Sequence, residues 1–245
     1  MGIEIPLFQG LSLKIGDPSS YRNDYPTARL QKGFLLLDRG RELAEEAVGF
    51  GVPVLKRGLQ TIFPGSVALT WLQSGSTWEI TTLFKLNLVE KISIGANTYV
   101  ENRSLYAIKN FLEAIIRRLP IFRELLTAAS SKLRQVLGWE TTFVDADLSA
   151  EVKMLYTVDG QTGIVSVEID ASNLPAAITE VVVMNEQGAH NFNWYQDTSG
   201  ISIRGEEIGC WDVVNAEEAW FKSSTSRVAF RLGQVQGARL YRGRE

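Results

Sequence analysis

Residues 78–88 read WEITTLFKLNL, and this stretch decides the fold class. Mostly apolar side chains fall on one side of it, namely Trp78, Ile80, Thr82, Phe84, Leu86 and Leu88. Because successive side chains of a β-strand point to opposite faces of a sheet, this period of two predicts a strand with one core face and one wet face. Residues 67–72 alternate in the same way, and Gly75 in the link between the two runs predicts a hairpin.

A second hairpin is predicted where the pair Asp159-Gly160 interrupts a long alternating run. The apolar positions are Val152, Met154, Tyr156 and Val158 before the pair, and Val165, Val167 and Ile169 after it. Glycine readily adopts the positive φ of a tight turn, so the pair predicts the turn itself. Shorter strand-like runs follow at 178–184, 191–195, 201–204, 219–221, 228–232 and 238–241. Their close spacing favours a sandwich or barrel over alternating strand and helix units.

The hydrophobic period changes between these two strand-rich halves. From Leu105 to Val136, apolar residues recur every three or four positions, which is the spacing of one helix face. Pro120 interrupts this run, and proline removes an amide donor and clashes with the preceding turn. We therefore predict two helices, forming a helical hairpin at about 104–137.

These patterns combine into one prediction for the fold. The chain is expected to be mainly β, a single-domain large antiparallel β-sandwich with one helical insertion. A β half at 1–102 precedes the hairpin segment 103–138, and a second β half at 139–245 follows it. Such a sandwich resembles, in architecture alone, the extended supersandwiches of carbohydrate-processing proteins, because no motif in the sequence identifies a family.

Composition and charge narrow the classes of function. Hydrophobic residues make up 45% of the chain and charged residues 22%, which is typical of a folded globular protein. A net charge of −3 provides no general basic field, so we predict no nucleic-acid partner. Cys210 and His190 are the only cysteine and histidine, so neither an internal disulfide nor a zinc site of such ligands is expected. We predict no metal and no cofactor.

Membrane association is not expected either. No apolar run approaches the roughly 20 residues that span a bilayer, and the first residues do not form a signal peptide. The sequence therefore predicts a soluble, cytoplasmic protein without a membrane partner.

The run AHNFNWYQ, residues 189–196, is the most suggestive for chemistry because it places the sole histidine beside two amides and a tyrosine. Lyases that cleave uronic-acid sugars use such a set, in which an amide neutralises a carboxylate and a histidine or tyrosine moves the proton. Strand alternation divides the run, however, into a core face and a polar face. The core face would hold His190, Phe192 and Trp194, and the polar face Asn191, Asn193 and Tyr195. The polar face offers the hydrogen bonds and the aromatic plane that a sugar requires.

Two further tryptophans lie beside acidic residues: Trp211 precedes Asp212, and Trp220 follows Glu218 by two positions. A tryptophan near an acid can form a carbohydrate platform, although a core aromatic with a surface neighbour is the more common case. A saccharide is the expected ligand. The predicted ligand-binding residues are Asn191, Asn193, Tyr195, Trp211 and Trp220.

Three classes of function remain open. The preferred hypothesis is a carbohydrate-binding or carbohydrate-processing-related protein. The second class is an enzyme acting on a saccharide, for which the candidate catalytic residues are His190, Tyr195 and Asp212. The third is a non-enzymatic structural or assembly protein that uses the helical hairpin as a homo-oligomer interface.

Basic residues near the C-terminus form a separate feature. Arg227 and Arg231 alternate with apolar side chains and are expected to point into solvent, and Arg239, Arg242 and Arg244 follow. We interpret them as a solvated ridge paired with acids elsewhere. An anionic polymer or a phosphate is the alternative.

Overall fold

The computed structural model describes residues 3–15, 34–43, 52–94, 97–98, 139–184, 192–208, 212–223, 229–233, 237 and 239–242. Over these residues the protein is mainly β with antiparallel sheets, as predicted. The helical segments among them are two three-residue 3₁₀ turns, Phe8–Gly10 and Gly205–Glu207. The helical hairpin predicted at 104–137 lies outside the described residues.

The chain divides into two compact units. Unit 1 comprises Met1–Lys91 and Thr141–Gln187, and unit 2 comprises Ile92–Glu140 and Gly188–Glu245. The single domain expected from the sequence stays a prediction.

Two antiparallel sheets are built mainly from unit 1. The smaller sheet contains β1 (Ile3–Pro6), β2 (Leu11–Ile15), β3 (Phe34–Asp38) and β4 (Arg41–Glu42), paired in that order. The larger sheet contains β5 (Val52–Arg57), β6 (Gln60–Ser74), β7 (Thr77–Ile94), β8 (Asn97–Thr98), β9 (Trp139–Asp159), β10 (Val165–Asp170) and β11 (Glu180–Met184). Its strand order is β10-β9-β7-β6-β5-β11, and β8 pairs with the end of β7.

Alternating apolar side chains build the core of unit 1. The buried residues of β7 and β9 include Trp78, Ile80, Phe84, Leu86, Val152, Met154, Tyr156 and Val158. Ile5 and Leu13 of the smaller sheet belong to the same buried cluster. The strand prediction for 78–88 is therefore confirmed, and the removal of this apolar surface from water is the main stabilising contribution in unit 1.

The hairpin predicted around Gly75 is present as well. β6 pairs with β7 so that Ser74 lies opposite Thr77, and Gly75 adopts a φ of 61° in the two-residue turn between them. An ordinary side chain rarely adopts this conformation, which is the physical reason for a glycine there.

The second predicted hairpin is present, because β9 pairs with β10, but the prediction of its turn is wrong. Gly163, rather than Gly160, has the positive φ, at 72°. The loop is longer than the tight turn that was predicted. The Asp159 carboxylate stabilises it by accepting a hydrogen bond from the Gln161 amide at 2.8 Å. Gly160 serves close packing instead, since a Cβ atom there would lie 2.8 Å from the backbone oxygen of Pro6.

Unit 2 contains a four-stranded and a two-stranded antiparallel sheet. Among the described residues, the strands of these two sheets are β12 (Trp194–Asp197), β13 (Ser202–Arg204), β14 (Asp212–Val213), β15 (Glu218–Lys222), β16 (Ala229–Gly233) and β17 (Tyr241–Arg242). The four-stranded sheet has the order β13-β12-β15-β16, and β14 pairs with β17. Tyr195, Ile208, Val214 and Ala219 form a buried cluster in this unit. One face of the four-stranded sheet therefore packs inward, and the side chains of the other face are half-buried or exposed.

Candidate functional site

The inner and outer faces of β12 are the reverse of those predicted. Tyr195 is only 1% exposed and Asp197 is buried with it, whereas Trp194 and Gln196 are half-buried on the other face. The predicted core position of Trp194 and the predicted outer position of Tyr195 are both wrong. The reason is that Phe192 and Asn193 precede the strand. An alternation counted from residue 190 therefore assigns the residues of β12 to the wrong faces.

Inside the unit, Tyr195 belongs to a hydrogen-bonded cluster centred on Asp197. The Tyr195 hydroxyl donates to Asp197 Oδ2 at 2.7 Å, and Arg242 Nη1 lies 3.4 Å from the same oxygen. Asp197 Oδ1 accepts the backbone amide of Ser199 at 3.0 Å and its hydroxyl at 2.6 Å. The Arg242 guanidinium carbon is 4.6 Å from the centre of the Tyr195 ring. Arg242 is thus an inward-facing partner of β12, and not part of the solvated ridge that the sequence predicted.

The surroundings of the cluster shift the pKa values of both of its acidic groups. Burial acts to raise the pKa of Asp197, but hydrogen bonds from Ser199, Tyr195 and backbone amides outweigh it, so the pKa lies below its ordinary value of 3.8. Burial raises the pKa of Tyr195, and its hydrogen bond to Asp197 adds to the rise. A buried tyrosine held in its protonated form is poorly placed to act as a base on a substrate. These contacts support a structural role for the cluster.

The Asp197 carboxylate also shapes the turn that leads from β12 to β13. The Asp197 amide donates to the Ile201 oxygen at 3.1 Å, and the Ile201 amide lies 3.3 Å from Asp197 Oδ1. Gly200 closes the turn with a φ of 94°, a conformation that side chains other than glycine rarely adopt. This geometry places Ser202 of β13 opposite Gln196 of β12.

The outward face of the four-stranded sheet carries aromatic, amide, hydroxyl and cationic side chains. In the strand register, Trp194 lies opposite both Arg204 and Lys222. Gln196 lies opposite Ser202 on one side and Trp220 on the other, and Trp220 in turn lies opposite Arg231. We call this surface the tryptophan face. Its residues are Trp194, Gln196, Ser202, Arg204, Trp220, Lys222 and Arg231.

A chain of hydrogen bonds fixes both indoles of the tryptophan face. Trp220 Nε1 donates to Gln196 Oε1 at 3.0 Å, and Gln196 Nε2 donates to Ser202 Oγ at 2.9 Å. Trp194 Nε1 donates to the same hydroxyl oxygen at 2.9 Å. Since each indole N–H has a side-chain partner within the face, the orientation of both rings is set before any ligand binds.

Positive charge surrounds these rings. The Arg204 guanidinium carbon lies 6.0 Å from the centre of the Trp194 ring, and Lys222 Nζ lies 5.6 Å from that of Trp220. Both cations are exposed, and at such distances they interact only weakly with the rings. Arg231 forms an ion pair with the carboxylate of Glu218, which is partly exposed at the edge of the same face.

The residues proposed from the sequence occupy different places. Trp220 lies on the tryptophan face and Tyr195 on the inner face, while the backbone oxygen of Asn193 accepts the amide of Gly205 at 2.7 Å. Asp212 is exposed on β14, opposite Arg242 in the register, and it is Asp197 that contacts the Tyr195 hydroxyl. Three predicted residues lie outside the described part of the chain. They are His190, Asn191 and Trp211.

Sequence reasoning missed Gln196, Ser202, Arg204 and Lys222, and it assigned Trp194 to the core. A usable signal was present in the segment from residue 194 to 202, where Asp197 and Gly200 mark a turn between two short alternating runs. Alternation puts Trp194 and Gln196 on the same face, and the polar amide of Gln196 indicates that this face is the outer one.

The described residues contain neither a metal site nor a membrane-spanning helix. No group of three or more His, Cys, Asp or Glu side chains is placed to hold a metal ion within the described ranges. No helix in these ranges has the length and apolar character needed to cross a membrane. Comparison with family models, curated proteins and solved structures finds no match to this chain.

Proposed function

We propose that the protein binds carbohydrate on the tryptophan face of unit 2. The observation that carries the proposal is the pair Trp194 and Trp220, held on an outward-facing sheet surface. Trp220 donates to Gln196, and Gln196 and Trp194 both donate to Ser202. Sugars combine an apolar C–H surface with a rim of hydroxyl groups. They are bound by aromatic planes set beside directional polar groups.

The polar groups of the face retain capacity for a ligand. Gln196 uses one Nε2–H toward Ser202, and an amide nitrogen carries two. Ser202 Oγ accepts two N–H groups, and its own O–H can donate to a sugar oxygen. A saccharide lying across the two indoles would meet both groups within one antiparallel sheet.

A binding role fits these residues better than catalysis by Tyr195. The Tyr195 hydroxyl is directed into the core toward Asp197, away from the tryptophan face. The enzymatic alternative would then depend on His190, which lies outside the described residues.

The proposed fold extends the confirmed mainly β architecture. We propose that the two sheets of unit 1 form a β-sandwich with supersandwich-like proportions, because side chains from both sheets belong to one buried cluster. This architecture would supply the rigid support expected of a carbohydrate-related protein.

A glycan array followed by fluorescence titration tests the proposed binding. The wild-type chain is expected to bind at least one class of polysaccharide, and Trp194→Ala and Trp220→Ala to weaken that binding about tenfold or more, because each removes a stacking plane. Trp71→Ala is the matched control, since Trp71 is 43% exposed on β6 of unit 1. Its affinity should equal that of the wild type.

Circular dichroism at the assay temperature separates lost binding from lost folding. If both single variants, Trp194→Ala and Trp220→Ala, fold and bind with wild-type affinity, the tryptophan face is not the binding site. A wild-type chain that binds no saccharide on the array would refute the function.

The structural or assembly role remains a second proposal. It depends on the helical hairpin predicted at 104–137, and light scattering of the chain with Leu112 and Leu126 changed to serine tests it. An oligomer that dissociates in this variant would support the role, and a monomeric parent chain would count against it.

A further inference from the structure

We propose that the ligand of the tryptophan face is an acidic polysaccharide whose sugar units carry carboxylate groups. This inference rests on the proposed carbohydrate binding and adds the charge of the ligand. The charge of the tryptophan face is positive, whereas the net charge of the whole chain is −3.

Cations dominate the tryptophan face. Among the described residues it carries Arg204, Lys222 and Arg231, and the acid beside it, Glu218, is already paired with Arg231. Glu207 follows β13 and accepts the backbone amide of Arg204 at 3.2 Å. The guanidinium of Arg204 and the ammonium of Lys222 are exposed. The surface is therefore electrostatically complementary to an anion.

The positions of the cations favour a charged sugar over a neutral one. Arg204 and Lys222 each lie beside one indole, at the distances given above, so a sugar stacked on either ring would have a cation at its rim. An exposed cation contributes little energy to a ring at this distance. If the cation turned from the ring toward a carboxylate of the ligand, it would lose little interaction energy and would form a charge-assisted hydrogen bond.

The face also contains an example of carboxylate recognition. Glu218 of β15 pairs with Arg231 of β16 across neighbouring strands, beside Trp220. A carboxylate is therefore already accommodated on this face, on the strand that carries Trp220. The planar guanidinium groups of Arg204 and Arg231 suit carboxylates because they can offer two parallel N–H donors.

A pair of polymers with the same sugar backbone isolates the effect of the carboxylate. Polygalacturonate carries free carboxylates, whereas fully methyl-esterified pectin carries the same sugars without the charge. We expect the wild-type chain to bind polygalacturonate at least tenfold more tightly than the ester. Raising NaCl should weaken the binding, because salt screens exposed charges.

Charge-neutralising variants assign this preference to the tryptophan face. Arg204→Gln and Lys222→Gln should each weaken polygalacturonate binding about fivefold, and the double variant more. Their effect on the methyl ester should be small. Lys85→Gln and Lys153→Gln in unit 1 are matched controls, because both lysines are exposed and neither belongs to a strand of the tryptophan face. All four side chains are exposed, so the variants should fold like the wild type.

The outcomes separate this inference from the proposed function. Equal binding of the charged and esterified polymers, unaltered in the double variant, would overturn the charge preference and leave carbohydrate binding intact. Binding of neither polymer, or of any other glycan, would overturn both proposals. If single-stranded poly(dT) bound as tightly as polygalacturonate, the face would attract any polyanion and the inference would be overturned. If Lys85→Gln or Lys153→Gln lost polygalacturonate binding, the binding site would not be the tryptophan face.

Discussion

Asp197 connects three parts of unit 2 through one carboxylate. It bonds the Tyr195 hydroxyl in the core, the Ser199 amide and hydroxyl in the turn, and lies within 3.4 Å of Arg242 on β17. Its side chain is 1% exposed and that of Arg242 is 14% exposed. A buried charge pair of this kind contributes little when intact but is costly to break, because one charge is left without its partner.

Replacing Asp197 by asparagine should destabilise the protein by about 3 kcal/mol at neutral pH. Urea unfolding followed by indole fluorescence measures the change. Asp212→Asn, at an exposed position on β14, is the control and should change the free energy of unfolding by less than about 0.5 kcal/mol.

The comparison of the wild type with Asp197→Asn also predicts a dependence on pH. The folded-state pKa of Asp197 lies below its ordinary value of 3.8, so its stabilising effect is fully present above that value and is lost as pH falls through the folded pKa. The stability difference between the wild type and Asp197→Asn should therefore be constant from about pH 5 to 7 and shrink below about pH 4. A difference that stays constant down to pH 2 would show that the carboxylate charge is not responsible.

At the scale of the strand, the sequence was informative wherever a long run has one buried face. In β7 the alternation from Trp78 to Leu86 identifies strand, face and hairpin together, because five successive positions of one parity are removed from water. β12 has four residues, too few to fix its own phase, and the backbone before it, at Asn193, is held by Gly205 instead of by a strand partner. The site could therefore not be assigned from alternation alone.

The turn between β12 and β13 should matter for binding as well as for stability. Gly200→Ala would force a side chain into a φ of 94°, and we expect a loss of about 1 kcal/mol together with weaker glycan binding, because Ser202 supports both Gln196 and Trp194. Thermal unfolding and fluorescence titration measure the two effects.

Gly58→Ala provides a closely matched comparison. Gly58 has a φ of 62° in the turn between β5 and β6, and at both glycines an added Cβ atom would have no neighbouring atom within 4 Å. Its replacement should cost a similar amount of stability and leave affinity unchanged. Equal affinity of both variants would mean that the turn does not organise the tryptophan face.

Across the whole molecule, the sequence predicted the class of fold better than the site. The mainly β, antiparallel class follows from many short alternating runs. Each run predicts a strand independently, so an error in one run leaves the predicted class unchanged. The site depends on which strands of unit 2 become neighbours, and Trp220 meets Gln196 across 24 positions of sequence. No local pattern carries that pairing. The positive charge of the face was only partly visible, through Arg231, because Arg204 and Lys222 come from other strands.

The proposed binding of carbohydrate to the tryptophan face is tested most directly by the indole N–H signals of the six tryptophans in ¹⁵N-labelled protein, recorded while a galacturonate oligosaccharide is added. Tryptophan-to-phenylalanine variants assign the signals. Binding on the tryptophan face predicts that the Trp194 and Trp220 signals shift in a saturable manner, while those of Trp71 and Trp78 in unit 1 stay in place. Saturable binding that moves the Trp71 or Trp78 signal and leaves Trp194 and Trp220 unchanged would contradict it.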